Sequence, residues 1–328
     1  MKKELEIWQF AAETLKKNES VMLLIVAESA GSSPGRRGFK MAVAADKMRG
    51  SIGGGAMEVE LVKTARVLLD AETRRRGDAE KNSFIRFQVH QKNAQNSSGM
   101  ICSGRQTVVF YKLIPPDLPT INAIVCSLEK HQSKTLHVSP NEFCALENQS
   151  NDCDFKFGQK NENDFLYEEK LGFTNKLFIV GGGHCALALS ELAARMDFYI
   201  SLFDDRADLN TFEKNNFVHS KQIIKSYENI GDFIASGANH FVVVMTVGYK
   251  SDETVIRRLF DKDFKYFGVL GSRAKMKTLL KNLEREGFDE EKLNKIRAPI
   301  GLKINSRTPE EIAVSIAAEI IGVKNAGD

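Results

Sequence analysis

The feature that most constrains the fold is the run Gly-Gly-Gly-His-Cys-Ala at residues 181–186, which stands between an apolar segment and an amphipathic one. These flanking segments predict a strand before the run and a helix after it. In that setting Gly181 permits a tight turn, and Gly183 lets backbone N–H groups approach a phosphate at the helix N-terminus. Ala186 allows the helix to pack closely against the strand. The run therefore predicts a nucleotide-binding turn, with a turn kept only for packing as the alternative.

Strand and helix patterns alternate through the rest of the C-terminal half. Strands are predicted at 177–180, 198–203, 241–246 and 266–270, and helices at 185–196, 227–235, 252–261 and 274–286. A final helix opens at Thr308, which can cap it, with Pro309 in its first turn and Glu311 completing a capping box. Such alternation implies a parallel sheet covered on both faces. We therefore expect residues 173–328 to form a Rossmann-like, doubly wound parallel sheet domain.

The N-terminal third has a different pattern. The helical spacing of Leu5, Trp8, Ala12 and Leu15 predicts a first helix. Strands at 21–27, 39–44, 84–89 and 106–113 and a second helix at 57–71 complete a predicted α+β domain over residues 1–116. Residues 117–172 read as a connecting segment with a short helix at 121–128, a strand at 135–138 and an exposed polar loop at 148–163. The predicted fold class is α/β, with the α+β domain first.

Composition excludes several classes of function. The 46 Lys and Arg against 43 Asp and Glu leave a formal charge of +3, which argues against a dedicated nucleic-acid binder. The apolar run at 21–27 is too short to cross a membrane, and a cytoplasmic location is expected. Five cysteines without a C-x-x-C pair suit a reducing compartment and give no structural zinc signature, so no metal site is predicted. Walker A, H-E-x-x-H and G-x-S-x-G motifs are absent from the sequence.

Two glycine loops in the first domain have the chemistry of anion capture. They are Gly-Ser-Ser-Pro-Gly-Arg-Arg-Gly at 31–38 and Gly-Ser-Ile-Gly-Gly-Gly at 50–55. Small residues admit a ligand, while free N–H groups, hydroxyls and guanidiniums hold its oxygens. The candidate binding residues are Ser32, Ser33, Arg36, Gly53, Gly54 and Gly55. Ordinary turns would account for the same composition.

Two cysteines stand in positions that bear on reactivity. Cys102 lies in Met-Ile-Cys-Ser-Gly-Arg at 100–105, where Arg105 is close enough in sequence to favour a thiolate. A packing cysteine is the alternative, because an isolated cysteine behaves by default as a small buried hydrophobe. Cys185 is interpreted as a packing residue, although its position at a helix N-terminus can lower a thiol pKa.

Further polar residues follow the predicted parallel strands. Asp204 and Asp205 end the strand after the glycine run, at the place where an acid accepts hydrogen bonds from ribose hydroxyls. His184 opens the helix, where the dipole disfavours its protonation and suits it to a ligand phosphate; a backbone-bonded His is the alternative. Arg273, in Gly-Ser-Arg at 271–273, predicts a second phosphate-facing loop at the carboxyl edge of the sheet.

Taken in order, these motifs resemble those of the xanthine dehydrogenase accessory protein family, XdhC/CoxI. The matching stretches are 31–34, 50–55 with Glu58, 102–105, 181–184, Phe-Asp-Asp-Arg at 203–206, Gly-Val-Leu-Gly-Ser-Arg at 268–273, Ala-Pro-Ile-Gly-Leu at 298–302 and Arg-Thr-Pro-Glu-Glu-Ile at 307–312. They span nearly the whole chain except residues 117–172. Their joint order is more specific than any single glycine motif.

The resemblance implies a maturation factor that binds molybdenum cofactor (molybdopterin), protects it during sulfuration and hands it to a xanthine dehydrogenase-like molybdenum hydroxylase. It implies a cofactor-insertion chaperone rather than a catalyst, with a cysteine desulfurase as a second partner and a homodimeric state. On this interpretation one domain presents Ser32, Ser33, Arg36, Gly53, Gly54, Gly55 and Cys102 to the cofactor. The other presents Gly181, Gly183, His184, Asp204 and Arg273.

The sequence departs from the family pattern at two positions, and two other functions stay open. Ala56 stands where the family often has Cys, and Val247 follows Thr246 where the family has a Thr-His pair. An NAD(P)-dependent oxidoreductase would use the same Gly181 motif, and Asp204 would favour NAD because an acid opposes a 2′-phosphate. The departures also fit an interaction protein that binds no small ligand.

Overall fold

The computed structural model describes residues 2–74, 83–89, 104–147, 154–161 and 164–326. The chain divides into two compact units, Met1–Gly172 and Phe173–Asp328, and each is described by itself. The predicted α/β class is confirmed, because mixed strands and helices build the first unit and parallel strands with helices build the second.

The helices are α1 Lys2–Lys16, α2 Gly55–Arg74, α3 Leu118–Glu129, α4 His184–Ala193, α5 Asn210–Glu213, α6 Ile230–Phe233, α7 Tyr249–Leu259, α8 Arg273–Arg285, α9 Glu290–Lys295 and α10 Pro309–Lys324, with 3-10 turns at Pro115–Asp117 and Tyr227–Asn229. The strands are β1 Val21–Gly31, β2 Lys40–Val43, β3 Met48–Gly50, β4 Ser83–Val89, β5 Gly104–Leu113, β6 Lys134–Ser139, β7 Glu142–Glu147, β8 Phe155–Asn161, β9 Asp164–Leu171, β10 Asn175–Val180, β11 Phe198–Asp204, β12 Ser220–Ile223, β13 Gly237–Val244 and β14 Phe264–Val269. In the described ranges, none of the helices is both long enough and apolar enough to span a bilayer.

The first unit is built around an antiparallel sheet with the strand order β3-β2-β1-β5-β4. Alternate residues of β1 enter different cores, because successive side chains of a strand point to opposite faces. Leu23 and Ile25 pack with α1, α3 and a second sheet, while Met22 and Leu24 pack with α2. Both faces are covered, so the run at 21–27 is continuously apolar and fully buried.

The second sheet of this unit lies in the stretch expected as a connecting segment. Its strands are antiparallel in the order β7-β6-β9-β8, and its inner face joins the core that contains α1. The helix and the strand expected at 121–128 and 135–138 are present as α3 and β6. The prediction of an exposed loop at 148–163 is wrong for residues 155–161, because these residues form strand β8. The reason is the period-2 spacing of Phe155 and Phe157, whose rings pack against the core inside a polar sequence.

The second unit is a doubly wound parallel sheet with the order β12-β11-β10-β13-β14. Leu177 and Ile179 of β10 pack with α4 and α10 on one face, and Phe178 and Val180 pack with α7 and α8 on the other. The Rossmann-like prediction is therefore confirmed. The helix expected at 227–235 is shorter, a 3-10 turn followed by α6. The capping box expected at Thr308 is present.

Candidate functional site

The glycine turn of the second unit requires glycine at its first position. Gly181 has φ +106°, and a methyl group added to it would lie 2.3 Å from the carbonyl oxygen of Met245. Its N–H donates to the carbonyl of Phe203 at 2.8 Å, which ties the turn to the neighbouring strand. The tight turn predicted after β10 is therefore confirmed, together with its physical cause.

The N-terminus of α4 is open toward solvent. Gly183 is its N-cap residue with extended backbone, and no side chain caps the helix. A methyl group at Gly183 would meet nothing within 4 Å, and the side chain of His184 is exposed. The first N–H groups of a helix have no intrahelical acceptor, and the dipole there favours negative charge. This end of α4 can hold a phosphate group.

Asp204 is fully buried and holds the glycine turn. Its carboxylate accepts from the N–H of Gly182 at 2.6 Å, and from the backbone N–H and two guanidinium nitrogens of Arg206 at 2.9, 2.8 and 2.7 Å. Burial raises the pKa of this carboxyl, but the hydrogen bonds from Arg206 and Gly182 outweigh burial and lower it. Four donors occupy the usual acceptor positions of a carboxylate. Asp204 thus supports the turn from within, and Asp205 is the exposed acid beside it.

The thiol of Cys185 does not have the character of a reactive group. Its side chain packs against the core that contains α4 and α10. Burial, and then the negative charge of Glu310, raise the pKa of the thiol, so a thiolate is disfavoured. This agrees with its interpretation as a packing residue.

A polar cluster that the sequence did not reveal lies at the carboxyl end of β13. Asp252, fully buried in the first turn of α7, accepts from the hydroxyl of Thr246 at 2.5 Å and from the ammonium of Lys275 at 2.8 Å. A methyl group at Gly181 would lie 2.8 Å from the backbone nitrogen of Thr246, so the cluster borders the glycine turn. Strands β10 and β13 flank the point where the strand order reverses, which is where such sheets bind ligands. The signal in the sequence was a Thr at a strand end followed six residues later by Asp.

The loop at 271–273 opens α8. The hydroxyl of Ser272 accepts from the N–H of Lys275 at 3.3 Å and so caps the helix. Arg273 is the first residue of α8 and its side chain is exposed. The hydroxyl of Ser272 is therefore occupied as the cap of α8, whereas the side chain of Arg273 is exposed to solvent at the carboxyl edge of the sheet.

In the first unit three predicted motifs meet through backbone contacts. A methyl group at Gly35 would lie 2.2 Å from the carbonyl oxygen of Ile52, and one at Gly53 would lie 2.5 Å from the nitrogen of Gly35. A methyl group at Gly104, next to the Cys102 motif, would lie 2.4 Å from the nitrogen of Ser33. The structure therefore brings together the loops at 31–38 and 50–55 and the start of β5. Gly35, Gly53 and Gly104 must be glycine, because any side chain there would collide with the backbone of a neighbouring loop; we call these the interlocked loops.

Ser33 belongs to the interior of this cluster. It is 4% exposed, and its hydroxyl donates to the side-chain carbonyl of Gln106 at 2.8 Å. The amide of Gln106 in turn contacts the sulfur of Met57 at 3.0 Å. Ser33 is thus engaged internally, whereas Ser32 and Arg36 are exposed.

The loop at 50–55 already holds a negative charge. One oxygen of Glu58 accepts from the N–H of Ile52 at 2.8 Å, from the N–H of Gly54 at 2.9 Å and from the hydroxyl of Ser51 at 2.7 Å. The N–H of Gly53 donates to the Ser51 oxygen at 3.2 Å. The anion held by Ile52 and Gly54 is therefore the chain's own carboxylate, and Gly55 begins α2.

Cys102 lies outside the described residues, so its role stays a prediction. Within the described ranges, no three His, Cys, Asp or Glu side chains are grouped so that they could hold a metal ion.

Comparison with known families gives two matches. Residues 177–320 match the family described as the XdhC Rossmann domain, and residues 14–78 match the XdhC and CoxI family. The two matched regions together cover more than half of the chain and follow the order of the motifs described above.

Two individual relatives and one solved structure also match this chain. The chain is 31% identical over 158 residues to Uncharacterized protein YqeB of Escherichia coli (strain K12), covering 47% of this chain and 28% of that protein. It is 33% identical over 147 residues to a protein of Bacillus subtilis (strain 168) that is named as a probable xanthine dehydrogenase subunit, covering 44% of this chain and 42% of that protein. The chain thus matches less than half the length of either relative. A crystal structure described as a xanthine dehydrogenase from Bacillus halodurans superposes with a TM-score of 0.71 at 19% identity, over 99% of this chain and 96% of that one, and shows the fold.

Proposed function

The chain belongs to the XdhC and CoxI family, and from this premise we propose that it is an accessory protein for the maturation of a xanthine dehydrogenase. In the finer form of the proposal it binds molybdenum cofactor and delivers it to a xanthine dehydrogenase-type molybdenum hydroxylase. The name of the Bacillus subtilis relative, which describes part of a xanthine dehydrogenase, supports an association with that enzyme system.

The open N-terminus of α4 is the observation that carries the finer proposal. Molybdopterin bears a phosphate group, and its dinucleotide forms bear a diphosphate. Gly183 leaves space for such a group, and the N–H groups of His184 and Cys185 at the start of the helix would hold it. The exposed side chain of Arg273 belongs to the same carboxyl edge of the sheet. The bound cofactor would supply the molybdenum chemistry of the client enzyme, while this chain binds, shields and releases it.

The first unit fits the cofactor only in part. Ser32 and Arg36 are exposed and can contact a ligand, but Ser33 is buried and bonded to Gln106. Three N–H groups of the 50–55 loop donate to side chains of this chain, those of Ile52 and Gly54 to Glu58 and that of Gly53 to Ser51. We therefore assign ligand contact to the exposed residues of the 31–38 loop and a supporting role to the 50–55 loop.

A nicotinamide cofactor is the second candidate, because the same glycine turn serves NAD-dependent enzymes. The geometry gives it less support, since the four donors on Asp204 occupy the carboxylate that would bind ribose hydroxyls. Two further parts of the proposal, a homodimeric state and a cysteine desulfurase as partner, are supported only by the resemblance to the family.

The test is to purify the protein anaerobically from a host that makes molybdopterin, and to measure fluorescent pterin after acid oxidation. We expect pterin in stoichiometric amounts with wild type and with the control Gly322→Ala, whose added methyl group also meets nothing within 4 Å. Gly183→Ala should retain about a tenth of that amount, because the methyl group enters the space assigned to the phosphate. Cys102→Ala tests the predicted cysteine in the same assay. Wild-type protein that carries NAD(H) and no pterin would contradict the proposal and favour the second candidate.

A further inference from the structure

A buried lysine ties the end of the 31–38 loop to two other parts of the first unit. Lys40, the first residue of β2, is 5% exposed, and its ammonium donates to Glu169 of β9 at 2.7 Å and to Glu4 of α1 at 2.9 Å. Its third hydrogen bond goes to the carbonyl oxygen of Gly38 at 3.0 Å. An ammonium group has three protons to donate, so the donor capacity of Lys40 is fully used inside the protein.

Gly38, the last residue of the loop, packs directly on the same cluster. Its φ is +84°, and a methyl group there would lie 2.7 Å from the ring of Phe155 and 3.1 Å from a carboxylate oxygen of Glu169. Its N–H donates to the carbonyl oxygen of Val26 at 2.9 Å. The earlier part of the loop is fixed by its backbone contacts with the other interlocked loops. A change at Glu169 therefore acts on the end of the loop.

The cluster contains one more carboxylate than ammonium. Glu4 and Glu169 share Lys40, and the side chains of Lys40 and Glu169 are only 4% and 7% exposed. When both carboxylates are charged, the cluster carries a net negative charge in a place that water hardly reaches. Buried charge without a partner is costly, and two carboxylates at one site do not readily ionise together. Burial raises the pKa of Glu169 to about 7, so this carboxyl is the one that takes up a proton.

Among the described residues, the other groups around Glu169 do not supply a second cation at close range. Tyr167, two residues earlier on β9, donates its hydroxyl to the second oxygen of Glu169 at 2.8 Å. The paired positions on the neighbouring strands are Phe155 of β8 and Leu136 of β6, which are apolar. Arg37 of the 31–38 loop acts on Tyr167 through its charge, but its side chain is exposed. An ionised Glu169 is therefore stabilised by entry of water or approach of Arg37, and both require the end of the loop to move.

We propose that Lys40 and Glu169 are positioning residues for the 31–38 loop, and that loss of the proton from Glu169 releases the end of this loop. With Glu169 neutral, the cluster has no net charge and Lys40 holds Gly38. With Glu169 charged, the surplus negative charge favours an open loop that admits water. The inference rests on the proposed function in one respect: ligand contact is assigned to exposed residues of this loop, so its release would loosen a bound ligand.

The direction of the pH effect follows from where the proton is bound. In the closed loop the pKa of Glu169 is about 7, and in an open loop that admits water it returns toward the ordinary 4.5. The closed loop is fully favoured below about pH 4.5 and loses this advantage as the pH rises to about 7. Because one proton is involved, the equilibrium constant for opening rises by up to about tenfold per pH unit in this range and levels off above it.

The experiment is amide hydrogen exchange of the full-length protein, measured by mass spectrometry from about pH 5 to about pH 8. One peptide contains residues 36–41, and a reference peptide contains residues 108–113 of β5. Protection factors, which remove the intrinsic effect of pH on exchange, report the opening equilibrium of each segment. The loop peptide should be at least about tenfold less protected than the β5 peptide, because the loop opens without unfolding of the sheet.

Three variants separate the charge of Glu169 from a merely structural role. Glu169→Gln mimics the neutral acid, and Glu4→Gln removes the surplus carboxylate at a position that is 19% exposed, which keeps the test decisive if Glu169→Gln does not fold. The matched control is Glu168→Gln, the next residue on β9, whose side chain pairs with Lys156 instead.

In wild type and in Glu168→Gln, protection of the loop should fall by up to about tenfold per pH unit between about pH 5 and about pH 7. Glu169→Gln should show no such fall and should exceed wild type in protection at about pH 7.5, whereas loss of a merely structural contact would lower protection. Glu4→Gln should move the fall to lower pH, because the charge of Glu4 helps to raise the pKa of Glu169.

Loop protection that does not change with pH in wild type, that falls equally in Glu169→Gln, or that equals the protection of β5 would overturn the inference. The accessory function fails separately. The expected exchange pattern in a protein that carries no pterin from cells would retain the inference and reject the accessory function. Pterin carried by a protein whose loop protection does not change with pH would keep the accessory function and overturn the inference.

Discussion

The carboxylate of Glu58 lies 2.9 Å from the amide nitrogen of Gly54. The 50–55 loop has the composition of an anion-binding site, but the anion bound there is this carboxylate from the first turn of α2. The same oxygen also accepts from Ile52 and Ser51. A carboxylate near the N-terminus of a helix is further stabilised by the helix dipole. The hydrogen bonds of Glu58 therefore fix the start of α2 to the 50–55 loop, which in turn contacts the 31–38 loop through Gly53 and Gly35.

Replacing Glu58 by Ala should destabilise the first unit. Three donors lose a shared acceptor, and we expect the free energy of unfolding to fall by about 1–3 kcal/mol. Glu58→Gln keeps one oxygen acceptor and should lose less. Urea unfolding measures both variants, with the exposed Glu19→Ala as the control. A loss no larger than that of Glu19→Ala would show that the hydrogen bonds do not stabilise the loop.

Replacement by alanine should destabilise the protein strongly at Gly181 and only slightly at Gly183, the two outer glycines of the 181–183 turn. Gly181→Ala places a methyl group 2.3 Å from a carbonyl oxygen at φ +106°, and should cost at least about 2 kcal/mol of stability or prevent folding. Gly183→Ala meets open space at φ −72° and should change stability by less than about 1 kcal/mol. Thermal unfolding of the two variants checks the contrast. Equal losses would mean that the turn does not impose a left-handed backbone at Gly181.

Much of the fold follows from periodicity, and the exceptions have identifiable causes. Four strands of the second unit, β10, β11, β13 and β14, were predictable because each is a largely buried apolar run between turn residues of a parallel sheet, whereas the polar, mostly exposed edge strand β12 was not predicted. Strand β8 was missed because its exposed positions are polar and only Phe155 and Phe157 carry the alternation. Short amphipathic edge strands give a weak signal, since their stability comes from pairing with the neighbouring strand, here β9, more than from their own few apolar residues.

The site was predictable as a set of loops but not as a set of contacts. Glycine motifs indicate where backbone must turn or approach closely, and Gly181 and Gly53 do both. They do not indicate which acceptor fills the turn, because Glu58 and Asp204 have the same chemistry whether they bind a ligand or their own backbone. The cluster around Asp252 depends on side chains brought together by the sheet, which local sequence does not encode.

The ion pair of Asp252 and Lys275 should stabilise the second unit measurably. Lys275→Met leaves a fully buried carboxylate without its cation, and should cost about 3 kcal/mol, the lower end for buried pairs because the lysine side chain is 28% exposed. Asp252→Asn should also destabilise the protein, through Thr246 as well as Lys275. In a double-mutant cycle the combined loss should be smaller than the sum of the single losses. Strict additivity would show that the pair contributes no interaction energy.

A buried charge cluster joins three elements of the first unit. The ammonium of Lys40 lies 2.7 Å from a carboxylate oxygen of Glu169 and 2.9 Å from one of Glu4, and the hydroxyl of Tyr167 donates to the other Glu169 oxygen at 2.8 Å. Burial, the largest effect, raises the pKa of Glu169 to about 7, although Lys40 favours its charged form. The two carboxylates outweigh the burial of Lys40 and raise its pKa.

This cluster predicts a specific dependence of stability on pH. Glu169 has an ordinary pKa of 4.5 and a folded-state pKa of about 7, so between these values the folded protein keeps a proton that the unfolded chain has lost. The stabilisation is complete below about pH 4.5 and is lost as the pH rises toward about 7, with a slope of up to about 1.4 kcal/mol per pH unit. Glu169→Gln, which mimics the neutral acid, should remove this slope while other groups titrate as before. Urea unfolding of both proteins across that range measures the difference, and parallel curves would show that Glu169 titrates alike in the folded and unfolded chains.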